Sequence, residues 1–274
     1  MARRYPWQRE RTPGHGRRAL ALFALLATWA ATTAAAAADL QVNPIMVEFL
    51  PEEQVQAVWL TNSGTAPLKA QVRVAAWHQS GGEDQLEATR ELVASPAILE
   101  IAAGEQQLVR LVRPGARPPA SEAAYRLTID ELPREAAQTD AGVQFLLRYS
   151  VPAFVLAPGN QPLSPSRRTA QASAPAPAAG AVRARLEAEG TEQTRLWVDN
   201  PGRQRLRLSN LAWVDDAGRR TVLSAGLLGY VLAGQSMQWT LPLPASARNG
   251  GGGLKARFND DPNEQDLPLD TAGH

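Results

Sequence analysis

The sequence WLTNSG at residues 59–64 returns as WVDNPG at residues 197–202. Each copy has an apolar pair, one polar residue and an Asn-x-Gly triplet. Asn-x-Gly favours a tight turn, and apolar residues directly before a turn indicate the end of a strand. The pair therefore predicts the same strand and turn at two places in the chain.

Two further segments return in the same order. VAAWHQSGG at residues 74–82 is matched by NLAWVDDAG at 210–218, and IAAGEQQLVRL at 101–111 is matched by VLAGQSMQWTL at 231–241. Three near-copies in one order indicate a duplicated structural unit rather than a chance repeat.

Apolar and polar residues alternate along the first copy, as they do in half-buried strands. The inward sets predicted from this alternation are Val55, Ala57 and Trp59; Leu68, Ala70, Val72, Val74 and Ala76; and Tyr125, Leu127 and Ile129. Arg126, Thr128 and Asp130 are then expected to face water. Short strands with frequent turn residues predict an all-β fold of two immunoglobulin-like β-sandwich domains in tandem.

The second copy repeats the pattern, with strands predicted at residues 196–199, 206–213, 221–223, 230–232 and 237–243. Tryptophans stand at the duplicated positions: Trp59, Trp77, Trp197 and Trp213. We interpret them as paired core residues. The basic run at residues 203–207 is expected on a solvated strand face.

The first 38 residues have the features of an export signal. Arg17 and Arg18 precede an apolar run at residues 19–31 and an alanine tract at 34–38. This pattern is typical of a secretory signal peptide, and the alternative is a membrane anchor. The segment contains six arginines and one acid, so the remaining chain has 22 basic and 26 acidic residues and a net charge of −4. That balance does not favour nucleic-acid binding.

Composition also divides the chain. Residues 1–38 are expected to be the signal peptide, 39–158 the first domain, 159–180 a connection rich in Pro and Ala, and 181–274 the second domain. We expect the protein to act in the periplasm, without membrane insertion of the mature chain.

The side chains needed for catalysis are scarce. There is no cysteine, and beyond the signal only His78 and His274 are histidines, which disfavours zinc and triad chemistry. Acidic pairs such as Asp215 and Asp216 stand in turn-like sequence, where Asp serves local hydrogen bonds. We therefore expect a binding protein with no catalytic residue, metal or cofactor.

The ordered set LQVNPIMVEF, VWLTNSG, SPAILEIAAGEQQLVRLVRP, YRLTIDELP, VQFLLRYSVPAFVLAP and GYVLAGQSMQWTL resembles the periplasmic pilus (fimbrial) assembly chaperones of the chaperone–usher pathway, closer to the non-classical branch. The resemblance implies two immunoglobulin-like domains in a boomerang arrangement. It also implies pilin subunits as clients, an outer-membrane usher as recipient, and no need for ATP.

In this family the last strand of the first domain completes the client's sheet. The resemblance places that donor strand on Val143, Phe145, Leu147, Tyr149 and Val151, which are apolar at every second position. The alternative is that these side chains face the chaperone's own core.

Family members also hold the client's terminal carboxylate with two basic residues. The corresponding positions fall on Met46 and near Pro152, and neither is basic. Arg148 is the nearest substitute, and Arg110 and Arg113 are others.

A competing interpretation is a tandem structural or adhesive surface protein, either a fimbrial subunit or a carbohydrate binder. A fimbrial subunit would need a free donor segment before its first strand, and only a few residues precede the strand predicted at 42–49 once the signal is removed.

Overall fold

The computed structural model describes residues 39–115, 117–133, 145–164, 167, 182–189, 193–242, 247, 251–259 and 261–270. The predicted signal peptide at residues 1–38 lies outside the described residues, as does most of the predicted connection. The described residues contain seventeen β-strands. Within them, no helix combines the length and the apolar character that a membrane crossing requires.

Ten strands build the first sandwich, and their bounds are β1 Leu40–Asn43, β2 Val47–Phe49, β3 Val55–Asn62, β4 Leu68–Ser80, β5 Glu83–Ala88, β6 Val93–Ser95, β7 Ile98–Ile101, β8 Gln106–Val112, β9 Ala123–Leu132 and β10 Arg148–Val155. One sheet has the order β1-β3-β8-β6. The other has the order β2-β10-β9-β4-β5, with β7 also paired to β4. The inner faces of the two sheets enclose one apolar core.

The inward-facing residues of β4 and β9 were predicted correctly, because Leu68, Ala70, Leu127 and Ile129 are buried. The prediction for β3 was wrong by one residue. Val58 and Leu60 are buried, whereas Val55 is 52% and Trp59 39% exposed.

Asn62 explains the facing of β3. Its side chain points inward, and its Nδ2 donates to the carbonyl oxygens of Ala66, Ile101 and Ala102 at 2.9–3.1 Å. Its Oδ1 accepts from the N–H of Gly64 at 2.9 Å. Because side chains alternate along a strand, an inward Asn62 also fixes Leu60 and Val58 inward.

The second copy repeats this arrangement atom for atom. Asn200 Nδ2 donates to the carbonyl oxygens of Gln204, Val231 and Leu232 at 2.9–3.2 Å, and its Oδ1 accepts from the N–H of Gly202. The acceptors Ile101 and Val231 are the first residues of another repeated pair of segments. The duplicated sequence is thus a duplicated buried hydrogen-bond site that ties a turn to a distant strand.

Seven strands build the second sandwich: β11 Arg183–Glu189, β12 Gln193–Asn200, β13 Leu206–Val214, β14 Arg220–Val231, β15 Gln235–Pro242, β16 Gly253–Phe258 and β17 Gln265–Leu267. The sheet orders are β11-β12-β15 and β14-β13-β16-β17. They enclose a second core, separate from the first.

The strands predicted at 221–223 and 230–232 are in fact one strand. β14 runs past a register shift opposite Ser209–Leu211, where Asn210 and Gly226 have φ of 54° and 72°. Asn210 Oδ1 accepts from the N–H of Gly226, so the irregularity is held by a side chain instead of ending the strand. Gly226, with its positive φ, accommodates a bulge inside the strand.

The tryptophans do not behave as four paired core residues. Trp77 and Trp213 are buried, as expected, but Trp59 and Trp197 lie on outer faces of their sheets. Trp197 is covered by Arg185, whose guanidinium carbon is 4.6 Å from the ring centroid, and its Nε1 donates to Glu187. Side chains alternate along a strand, so the inward-facing Asn62 and Asn200 place Trp59 and Trp197, three residues earlier, on the outer face.

Candidate functional site

β10 is the last strand of the first sandwich, and among the described residues part of its outer edge has no strand partner. It pairs antiparallel with β9 along its whole length, from Arg148 to Val155. On the other side, β2 pairs with it in parallel only at Ala153–Val155. In the described part of the chain, the edge from Arg148 to Pro152 therefore presents backbone groups that no strand occupies, a ready template for another extended chain.

The predicted donor-strand residues differ from one another in how far they are exposed. Val143 lies outside the described residues. Phe145 is 85% exposed and precedes β10. Leu147 and Tyr149 are half-buried against the first core, and Val151 is fully within it. Tyr149 also donates its hydroxyl proton to the carbonyl oxygen of Leu40.

The opposite face of β10 and β9 carries charge. Asp130 accepts from Arg148 on one side and from Arg73 at 2.7 Å on the other. Burial by itself raises the pKa of Asp130, but the hydrogen bonds from the two arginines outweigh it and lower the pKa below its ordinary value. Arg148 is therefore engaged with Asp130.

None of the other predicted anchor positions places an available cation on β10 in the part of the chain that the structure describes. Met46 is half-buried, with its sulfur 3.8 Å from Arg205 Nη2, and Pro152 is buried in β10. Arg113 is buried, and its guanidinium donates to the carbonyl oxygens of Pro51, Glu53 and Arg117. Arg110 is exposed on β8, in the other sheet.

The structure places a different cation beside the expected position. Arg126 on β9 is the direct cross-strand partner of Pro152. Its guanidinium lies over the ring of Trp77 at 3.6 Å, and its side chain is 16% exposed. Desolvation lowers the pKa of Arg126, with the charges of Asp84 and Tyr230 acting in the opposite direction.

The alternation of β9 predicted that Arg126 and Asp130 face water. Asp130 is instead buried, and the side chain of Arg126 is only 16% exposed. Arg126 shares an aromatic cluster in which Trp77, Phe154 and Tyr230 have ring centroids 5.7–5.9 Å apart. Tyr230 comes from the second sandwich, so that sandwich covers part of this sheet face. Single-sequence alternation carries no signal for a face covered by another domain.

Three buried charges join the two sandwiches next to this cluster. Arg205 donates to Glu48 and, at 2.6 Å, to Glu122, and the three side chains are at most 1% exposed. The guanidinium carbon of Arg205 also lies 3.7 Å from the centroid of Phe154. The expectation that residues 203–207 are solvated is therefore wrong for Arg205, and the available signal was Glu48 within the apolar run IMVEFL.

A second junction is formed by the hairpin between β4 and β5. Gln79 Nε2 donates to the carbonyl oxygen of Tyr230 at 2.8 Å, and Gln79 Oε1 accepts from the N–H of Leu232 at 2.9 Å. The turn continues the contact, since Gln238 N–H donates to Gly82 O and Gly82 bridges Met237. Side-chain and backbone hydrogen bonds thus fix the second sandwich against the sheet that carries Arg126.

Comparison with known structures identifies the fold. A chain in the CsuC–CsuE chaperone–tip subunit pre-assembly complex, from the archaic chaperone–usher Csu pili of Acinetobacter baumannii, matches with a TM-score of 0.63 and 24% identity, covering 85% of this chain and 98% of that one. The E. coli chaperone DraB matches with a TM-score of 0.52 and 18% identity, covering 84% of this chain and 98% of that one. A chain in the complex of Salmonella enterica SafA pilin with the SafB chaperone matches with a TM-score of 0.52 and 19% identity, covering 82% of this chain and 92% of that one. The fold is that of the two-domain chaperones with tandem immunoglobulin-like domains.

A family model narrows this class. Residues 39–159 match the model described as pili and flagellar-assembly chaperone, PapD N-terminal domain. The first sandwich is therefore similar to the N-terminal domain of the pilus-assembly chaperones, and the fold of the whole described chain is similar to that of the chaperone structures above. Among curated proteins, no match was found.

Proposed function

We propose that this protein is an exported, periplasmic chaperone that captures incomplete pilin subunits by donor-strand complementation and delivers them to an outer-membrane usher. The observation that supports this most directly is the edge of β10 from Arg148 to Pro152, which no strand of the described residues occupies, with the exposed Phe145 three residues before it. Main-chain pairing along such an edge gives affinity, and side chains that enter pockets of the client give specificity.

The donor residues divide by exposure. Phe145 is free to enter a client groove without leaving the chaperone's own core. Leu147 and Tyr149 are half-buried and contribute after a small rearrangement, whereas Val151 anchors the strand. Val143 completes the proposed set. Binding by strand complementation needs no cofactor and no turnover, so we expect neither an enzyme activity nor a nucleotide requirement.

The client's terminal carboxylate is proposed to bind Arg126. This residue lies across from Pro152, the position that the family resemblance marks, and its side chain is 16% exposed. Guanidinium groups bind carboxylates in bidentate geometry, and the stacking on Trp77 fixes the plane of the group in advance.

Co-expression with pilin subunits from the same genome tests the proposal. The wild-type protein is expected to yield a soluble one-to-one complex. Phe145→Glu and Leu147→Glu are expected to lose it, with Phe145→Glu folding as the wild type does. The matched control is Leu227→Glu, which charges an exposed leucine of the second sandwich. If Phe145→Glu binds the subunit as well as the wild type does, the donor strand is assigned to the wrong segment.

A further inference from the structure

Arg126 has an acidic neighbour within the chain. Asp84 is on β5, and its Oδ2 lies 3.7 Å from Arg126 Nη2. This separation is too long for a hydrogen bond, so the attraction is electrostatic. The side chain of Asp84 is 42% exposed, and ion pairs in such positions are weak.

Asp84 is nevertheless held where it is. Its Oδ1 accepts from Gln79 Nε2 at 2.9 Å, and the same nitrogen donates to the carbonyl oxygen of Tyr230. Gln79 is itself fixed by the N–H of Leu232. The contact between the two sandwiches therefore keeps a carboxylate beside Arg126.

The guanidinium of Arg126 retains its hydrogen-bonding capacity. It carries five N–H donors, and within the described ranges none of them donates to a protein acceptor. A carboxylate that reaches the exposed part of this guanidinium can form the two parallel hydrogen bonds that Asp84, tethered to Gln79, does not form.

We infer that Asp84 occupies the place of the client's terminal carboxylate in the free chaperone and competes with it for Arg126. This inference rests on the proposed anchoring role of Arg126. It makes the chaperone selective, because only a ligand with a free carboxylate in bidentate geometry gains enough to displace Asp84, and a ligand ending in a neutral amide does not.

The test compares N-acetyl-valine with N-acetyl-valinamide. Each is titrated into the purified protein, and the indole N–H resonance of Trp77, assigned with Trp77→Phe, reports binding. Asp84→Asn removes the charge and keeps an Oδ1 acceptor for Gln79. It is expected to bind the acid about two- to five-fold more tightly than the wild type, with no change for the amide. Glu83→Gln, an exposed neighbour on the same strand, removes the same charge and is expected to change neither affinity.

The outcomes separate the two hypotheses. If the wild type prefers the acid and Asp84→Asn leaves that preference unchanged, or Glu83→Gln raises it equally, Asp84 is not a competitor and Arg126 remains the anchor. If neither protein distinguishes acid from amide, the anchor and the competitor are both overturned. Strand donation would still stand or fall on the co-expression experiment alone.

Discussion

Arg205 Nη1 lies 2.6 Å from Glu122 Oε2, although Arg205 belongs to the second sandwich and Glu122 to the first. Glu48 binds the same guanidinium, so two carboxylates share one cation at a site without solvent. The pairing is completed by backbone donors, since Leu163 and Ser164 N–H groups bind Glu48 and the Arg205 N–H binds Glu122. The angle between the sandwiches is therefore tied to a cluster that tolerates little change.

Arg205→Met is expected to lower the free energy of unfolding by about 3–5 kcal/mol, because it leaves two buried carboxylates without their cation. Denaturant titration measures this loss. Arg203→Met removes an exposed arginine two residues away and is expected to cost under about 1 kcal/mol. Equal losses in the two variants would show that the cluster is unimportant for stability.

The cluster also predicts a pH dependence. Burial raises the pKa of Glu122 even though Arg205 acts against it. Burial likewise opposes ionisation of Glu48, but Arg205 and Ser164 together lower the pKa of that carboxyl. A raised pKa means that the contribution of Glu122 is fully present below its ordinary value of 4.5 and is lost as pH rises through its folded value.

Stability measured against pH for the wild type and Glu122→Gln checks this. The difference, wild type minus variant, is expected to fall as the pH rises above 4.5. For Glu48→Gln the stability difference between wild type and variant is expected to fall as the pH drops below 4.5, the ordinary pKa of a glutamate, because the pKa of Glu48 is lowered. A flat difference for Glu122→Gln would contradict the raised pKa.

The duplicated asparagines are expected to be equivalent in energy. Asn62→Ala and Asn200→Ala each leave three carbonyl acceptors without their side-chain donor, and each is expected to cost about 1–3 kcal/mol. Thermal unfolding of both variants measures the cost. The exposed Asn263→Ala serves as control, and a cost no larger than the control's in either variant would refute the shared role.

Gly82 and Gly81 form a matched pair at the hairpin between β4 and β5. Both have positive φ, so alanine at either position is expected to cost about 1–2 kcal/mol from backbone strain. A Cβ at Gly82 would also lie 2.7 Å from Trp197 and Gln238, whereas Gly81 has open space. Gly82→Ala should therefore destabilise more than Gly81→Ala and alter the angle between the sandwiches, measured by small-angle X-ray scattering. Identical scattering and stability would mean that this contact does not hold the two sandwiches in their relative position.

Arg126→Met tests the proposed anchor in the complete complex. It keeps much of the contact with Trp77 but removes the charge, and we expect the complex with a pilin subunit to weaken at least about ten-fold, as for a lost charge-assisted pair. Arg73→Met removes an exposed cation from the same sheet and is expected to have a small effect. Isothermal titration with the subunit supplies both values, and equal weakening would point to general electrostatics.

The repeated WxxNxG segment shows how far local sequence goes. It predicted a duplicated strand and turn, and both exist. It did not show which residues face inward, because Trp59 and Leu60 are both apolar, and the choice was made by Asn62 and its carbonyl partners some forty residues away. The facing of β3 is a long-range hydrogen-bonding decision that apolar alternation cannot record.

The site divides in the same manner. Sequence and family resemblance indicated the last strand of the first sandwich and the exposed Phe145. The proposed anchor could not be found this way, since Arg126 looks like any polar residue on the outer face of a strand. Its burial depends on Tyr230, which approaches from more than one hundred residues further along the chain.

By itself the sequence determined the all-β class, the duplication and the scarcity of catalytic side chains, since these follow from composition and short-range periodicity. The tertiary structure alone decided which charges are buried. Glu48, Glu122 and Arg205 lie far apart in sequence, and each would be costly to bury without the others. Their stability comes from meeting at one junction, and only the packing of the two sandwiches brings them together.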